Sequence, residues 1–73
     1  MIDYKDIGTR IRAARLHRKM TQEQLAAQLQ TRGCDVTRSA LAKIEVGQRH
    51  IYPDELRCLK EILKVSYDAL FAD

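Results

Sequence analysis

Seventy-three residues and 8.4 kDa make one small domain, and 45% apolar with 32% charged residues suits a folded globule rather than a disordered chain. A domain near this size buries only about 60% of the surface its unfolded chain exposes, which leaves little room for an enzyme cleft and its supporting residues. The net charge is +3 and the longest unbroken apolar run is the four residues Ala69 to Ala72, against roughly 20 for a membrane span and about 7 to 15 for a secretory leader, so neither is expected.

Helical spacing recurs along the chain, and no stretch alternates apolar and polar residues over a strand's length. The first helix is predicted from Tyr4 to Arg18. Asp3 is its N-cap and Asp6 lies in its first turn, where an acid opposes the positive end of the helix dipole. Ile7, Ile11 and Ala14 fall on its inner face, with Leu16 beside it. Gly8 costs up to about 1 kcal/mol relative to alanine inside a helix, so a close helix–helix approach is expected there.

Thr21 caps a second helix, Gln22 to Gln30, with Gln24 at the capping-box position. Its inner residues are Leu25, Ala26 and Leu29, and Gly33 is its stop. Thr37 caps a third helix, Arg38 to Val46, which ends at Gly47 and carries the apolar stripe Ala40, Leu41 and Ile44. Pro53 opens a fourth, whose core face is Leu56, Leu59, Ile62 and Leu63. Ser66 caps a short fifth through Phe71, with Asp68 in its first turn and Leu70 and Phe71 pointing inward. The expected class is all-α, in one domain, without repeats.

Charge is unevenly distributed. Residues 1 to 50 carry ten Lys or Arg against five Asp or Glu, whereas residues 51 to 73 carry three against five. Arg10, Arg12, Arg15, Arg18 and Lys19 fall in one short stretch with no acid among them. At about 100° per residue they do not share one face, so part of this cluster serves structure. A basic front and an acidic rear suggest an anionic partner such as nucleic acid, although solvated basic helix faces are common. Cys34 and Cys58 form no CxxC pair, and neither has a histidine at zinc-finger spacing. They are read as reduced thiols in or beside the core. No metal or other cofactor is implied, and the compartment is a reducing one, the cytoplasm.

The phrases Thr21-Gln22-Glu23-Gln24-Leu25-Ala26 and Val36-Thr37-Arg38-Ser39-Ala40-Leu41-Ala42-Lys43-Ile44-Glu45-Val46-Gly47 carry a more specific signal. With the opening Ile7-Gly8-Thr9-Arg10-Ile11-Arg12 and the close Val65-Ser66-Tyr67-Asp68-Ala69-Leu70-Phe71, the chain resembles the Cro/repressor-type (Xre-like) helix-turn-helix family of DNA-binding proteins. The resemblance covers about Ile7 to Phe71. It implies a compact five-helix domain like that of lambda repressor, in which the second helix of the motif lies in the major groove and the first crosses the backbone.

Carried over position by position, the resemblance puts the base-reading positions on Arg38, Ser39, Ala42 and Lys43. Arg38 or Lys43 would donate to guanine O6 and N7, and Ala42 would touch a thymine methyl. Phosphate contacts fall on Thr21, Gln22, Thr37, Gln48 and Arg49, with His50 in the same loop, and serve to position the protein rather than read sequence. Arg15 and Glu45 match a partly buried ion pair of the family and are assigned to structure. Arg10, Arg12, Arg18 and Lys19 lend long-range attraction.

Two departures stand out. Gln30 to Asp35 makes the connection between helices two and three longer than the family's short turn by about five residues. Either the second helix runs on or a loop bulges before Val36. The cap of the fourth helix, usually Thr or Ser, is Tyr52.

The expected function is a sequence-specific double-stranded DNA-binding transcriptional regulator of the repressor type. It would bind pseudo-palindromic sites as a homodimer through helices four and five, with half-sites about 34 to 36 Å apart. An exposed apolar subset among Ile51, Tyr52, Val65 and Tyr67 would support that dimer. The alternative is a protein-interaction or antitoxin-like module that keeps the scaffold without specific DNA binding. No enzyme is expected: His17 and His50 have no serine or cysteine partner suggested nearby, and Asp54 and Glu55 suit a helix start. No small-molecule substrate or membrane is implied. RNA is disfavoured because stacking aromatics are few: Tyr4, Tyr52, Tyr67 and Phe71.

Overall fold

The computed structural model describes residues 4–71, and among them lie five helices and no strand. The helices are α1 (Tyr4–His17), α2 (Gln22–Thr31), α3 (Arg38–Glu45), α4 (Pro53–Leu63) and α5 (Tyr67–Phe71). The all-α expectation therefore holds, with boundaries that differ by a residue: α1 and α3 stop one short and α2 runs one longer. The expected cap Asp3 lies outside the described residues.

Local chemistry accounts for the helix ends. Thr21 accepts the Gln24 N–H at 3.0 Å and its own N–H donates to Gln24 Oε1 at 2.8 Å, a complete capping box. Thr37 Oγ1 accepts the Ala40 N–H at 3.1 Å, and Ser66 Oγ accepts that of Ala69 at 3.1 Å. Tyr52 cannot cap with a short hydroxyl. The carboxylate of Glu55 instead accepts the Tyr52 N–H at 3.1 Å, and Pro53 needs no donor at the first helical position.

The lengthened α2–α3 connection is taken up by α2 running one residue on, to Thr31, and by an inward turn. After Thr31 the chain turns through Gly33 at φ 85°, with Gly33 N–H bonded to Gln30 O at 3.0 Å and Cys34 N–H to Leu29 O at 2.9 Å. This pair of bonds is a Schellman turn, which uses glycine's freedom at positive φ. The segment then turns inward rather than bulging, because Cys34 and Val36 are buried. α3 ends in the same way: Gly47 N–H bonds Ile44 O at 3.1 Å and Gln48 N–H bonds Lys43 O at 2.8 Å.

One core unites the helices. It contains Ile7 and Ile11 of α1, Leu25, Ala26 and Leu29 of α2, Leu41 and Ile44 of α3, and Cys58, Leu59, Ile62 and Leu63 of α4. Cys34, Val36 and Leu70 complete it, with Ala14, Ala40 and Leu56 partly buried at its edge. A fully buried Leu or Ile contributes about 1.5–3 kcal/mol relative to an exposed one, so this cluster is the main source of stability. α1 crosses α3, α2 packs on α3 and α4, and α5 closes over α1. A Cβ on Gly8 would overlap the Ile44 carbonyl oxygen and lie 3.0 Å from the Glu45 carbonyl. The expected close approach is thus between the backbones of α1 and α3.

Two inward assignments are corrected. Leu16 is 49% exposed, because five residues beyond Ile11 is about 140° around the helix. The position next to the apolar stripe belongs to Arg15, which is buried. Phe71 is 38% exposed, since Leu70 takes the inward direction of the five-residue α5. Arg10, expected to act only at long range, donates from Nη1 to Leu70 O at 3.2 Å and so fastens α5 to α1.

Candidate nucleic-acid interface

α3 turns Leu41, Ile44 and Glu45 into the protein and leaves Arg38, Ser39 and Lys43 exposed, with Ala42 half-buried. Arg38 with Ala42 and Ser39 with Lys43 are spaced four apart, so the four form two adjacent rows on the outer surface of one helix. This face carries cations and hydrogen-bonding groups, and the exposed Val46 continues the Arg38–Ala42 row at the C-terminal end of the helix. The acid of α3, Glu45, faces inward. Arg38 Nε lies 3.8 Å from Glu23 Oε1, but the two side chains are 63% and 78% exposed, and water screening leaves such a pair little strength.

The angle of α3 is fixed by a polar network behind it. Arg15 Nε donates to Glu45 Oε2 at 2.7 Å and Nη2 to Oε1 at 3.0 Å, a bidentate pair with both side chains almost fully buried. Arg15 Nη1 reaches the Met20 carbonyl at 2.8 Å, and Gln22 Nε2 donates to Glu45 Oε1 at 3.1 Å. α1, α2 and α3 are therefore joined through one carboxylate, and Arg15 ties in the turn after α1. The Glu45 hydrogen bond raises the pKa of Arg15 above its already high ordinary value, against the opposing effect of burial.

The residues expected to meet phosphate lie at the two ends of this arrangement. Thr21 and Thr37 are exposed caps at the starts of α2 and α3, where unpaired N–H groups favour an anion. Gln22 is half-buried and oriented by Glu45. Gln48 is exposed beyond the C-terminus of α3, beside a depression lined by Gly47, Gln48, Arg49 and His50.

Arg49 differs from the rest because its charge is already engaged. Its Nη1 and Nη2 donate to the two oxygens of Glu55 at 2.9 and 3.0 Å, Nη1 also reaches His50 O at 2.8 Å, and the guanidinium lies 5.9 Å from the Tyr52 ring centroid. That hydrogen bonding raises the Arg49 pKa and holds the Glu55 carboxyl below its ordinary value, although burial of Glu55 opposes the shift.

Glu55 is the residue that sequence reasoning missed, having been read only as a favourable acid at a helix start. The signal was present: an acid at the third position after the unsuited cap Tyr52, six residues after an arginine. The close juxtaposition of Cys34 with Cys58 had no comparable sequence signal, because 24 positions separate them.

No helix among the described residues is long and apolar enough to cross a membrane. Comparisons with curated proteins and with solved structures return no match. A family profile described as a helix-turn-helix domain matches residues 8–73, a span that takes in the α2–α3 pair, the buried network behind it and the outward face of α3. The chain belongs to the helix-turn-helix domain family, whose members point to DNA as the ligand in general.

Proposed function

We propose that the protein is a sequence-specific double-stranded DNA-binding regulator of the Cro/repressor type, acting as a cytoplasmic repressor and reading the major groove with α3. The observation that carries this reading is the outward row of Arg38, Ser39, Ala42 and Lys43 on a helix whose orientation is fixed from behind by Arg15, Glu45 and Gln22. Arg38 and Lys43 supply donors for guanine edges, Ala42 a small apolar contact, and Ser39 a permissive hydroxyl. Thr21, Gln22, Thr37 and Gln48 contact phosphates on either side. Arg49 acts from its pairing with Glu55, holding the loop after α3 and adding charge near the backbone.

A chain of this size covers one half-site, and a homodimer through α4 and α5 supplies the second. Tyr52 and Tyr67, which precede and follow α4, are exposed and supply apolar surface there; Ile51 and Val65 are half-buried.

Selection from a random duplex pool, followed by titration of the winner and a scrambled duplex at two salt concentrations, tests the reading. A palindromic winner that keeps its advantage as salt rises is the expected result. Arg38→Ala and Lys43→Ala should each weaken binding to that site by about 1–3 kcal/mol and relax its sequence preference. Gln22→Ala should weaken all duplexes alike. Equal, steeply salt-sensitive binding to winner and scramble would mean attraction to backbone alone and would favour the protein-interaction alternative.

A further inference from the structure

Cys34 and Cys58 are both free and both buried, and their sulfur atoms lie 2.6 Å apart. They come from different parts of the chain. Cys34 is held by its N–H to Leu29 O in the turn that ends α2, and Cys58 lies on the core-facing side of α4. The Cys34 sulfur also lies 3.8 Å from the Asp54 carbonyl, at the first turn of α4. Two independently fixed backbones thus aim two thiols at one point.

The separation distinguishes among the uses of a paired dithiol. A bridging metal with bonds of about 2.3 Å to each sulfur would need the sulfurs well apart, and structural zinc takes four ligands. No group of three or more metal-binding side chains occurs among the described residues. A disulfide bond is about 2.03–2.05 Å long, and the two sulfurs already lie inside the contact distance of unbonded sulfur atoms, so the fold holds them in position to close.

We propose that Cys34 and Cys58 form a redox-modification site that closes to an intramolecular disulfide by exchange with a small-molecule disulfide of the glutathione class. One protein thiol loses its proton and attacks a sulfur of the oxidant, breaking its S–S bond, releasing one glutathione thiolate and leaving a mixed disulfide. The second cysteine loses its proton and attacks the protein sulfur of that mixed disulfide, expelling the second glutathione. The protein loses two hydrogens and two electrons; the oxidant becomes two thiols.

The bond would join the α2–α3 connection to α4 and enclose the whole of α3 in a covalent loop. Because the fold already holds the sulfurs in position, α3 keeps its place and the cross-link acts by restricting the unfolded chain. The Cys34 thiol is pushed up to about 11, chiefly by its hydrogen bond with Cys58 and then by burial. Thiolate is therefore scarce at Cys34 at neutral pH, and closure is slow under reducing conditions. This proposal stands apart from the DNA-binding reading and does not depend on it.

The test equilibrates the full chain in buffers of reduced and oxidised glutathione, with and without urea, then quenches with acid and alkylates. In native buffer the expected product is a monomer about 2 Da lighter that takes up no alkylating reagent, with Cys34 and Cys58 in one cross-linked peptide. The ratio of closed to open chain should be at least about tenfold higher in native buffer than in urea, because the fold supplies the proximity. Cys34→Ser and Cys58→Ser should each stop at a single glutathione adduct. A native chain that carries two glutathione caps, or links to a second chain, would overturn the proposal. So would a native ratio no higher than that in urea, a comparison that needs no variant to fold.

Discussion

The two segments that flank α3 share a backbone design and differ in what fastens them. Each begins with a glycine at positive φ, 85° at Gly33 and 77° at Gly47, in a turn with the same pair of carbonyl hydrogen bonds. Ahead of α3, the chain is anchored by apolar burial of Cys34 and Val36. Behind it, the anchors are charges: Arg15 with Glu45 at the end of the helix and Arg49 with Glu55 in the loop that follows. The glycines differ too. A Cβ on Gly33 would meet nothing within 4 Å, whereas one on Gly47 would lie 2.6 Å from the Lys5 Cα. Apolar burial is non-directional and sets how deep a segment sits. Bidentate ion pairs are directional and set an angle. Each flank of α3 supplies one of the two.

The largest expected effect breaks the charged flank. Glu45→Ala leaves Arg15 buried without its partner and should lower stability by about 3–5 kcal/mol in urea unfolding, while the double change Arg15→Met with Glu45→Leu should cost far less. Equal losses in the single and double variants would show that packing, not charge, holds this end. The glycines sharpen the contrast next. Gly33→Ala should cost about 1–2 kcal/mol from the left-handed backbone alone. Gly47→Ala should exceed it by at least about 1 kcal/mol, because the Lys5 backbone must also move. Equal melting-temperature shifts would mean the close approach to Lys5 relaxes freely.

Val36→Ala tests the apolar flank, with an expected loss of about 2 kcal/mol that does not vary with salt. The smallest effect concerns acid. Glu55 is held below its ordinary value of 4.5 by Arg49. The contribution of this pair is present above the unfolded pKa and is lost as pH falls through the folded value. Wild type should therefore exceed Glu55→Gln by about 1 kcal/mol near neutrality, and the gap should narrow steadily below about pH 4.5. A gap that stays constant through that range would remove Glu55 from the acid response.

Particular residues show where sequence reasoning succeeds. Thr21, Gln24, Thr37 and Ser66 take the cap positions their chemistry favours, because a cap bonds within three residues and needs only local chain. Leu25, Leu29, Leu41, Ile44, Leu59 and Ile62 are buried where helical periodicity puts them. Leu16 and Phe71 fail for an equally plain reason. Leu16 lies about 140° around α1 from Ile11, off the apolar stripe, and Phe71 lies about 100° from Leu70 on a five-residue helix that buries only Leu70. In the candidate site, the outward direction of Arg38, Ser39 and Lys43 was legible from the position of the apolar stripe. The engagement of Arg49 by Glu55 was not, since it depends on how the loop after Gly47 folds back on α4.

By itself, the sequence determined the helices to within a residue, the caps Thr21, Thr37 and Ser66, the glycine stops and the centres of the inward faces, because these depend on interactions within a turn or two of the chain. Tertiary structure alone decided what crosses those helices. It brought the α1 and α3 backbones together at Gly8, directed Gln22 to the carboxylate that Arg15 holds, and set Cys34 against Cys58. Such contacts join residues 23 or more positions apart. Their geometry follows from how the packed helices sit on one another, a property of the assembled core that no local pattern encodes.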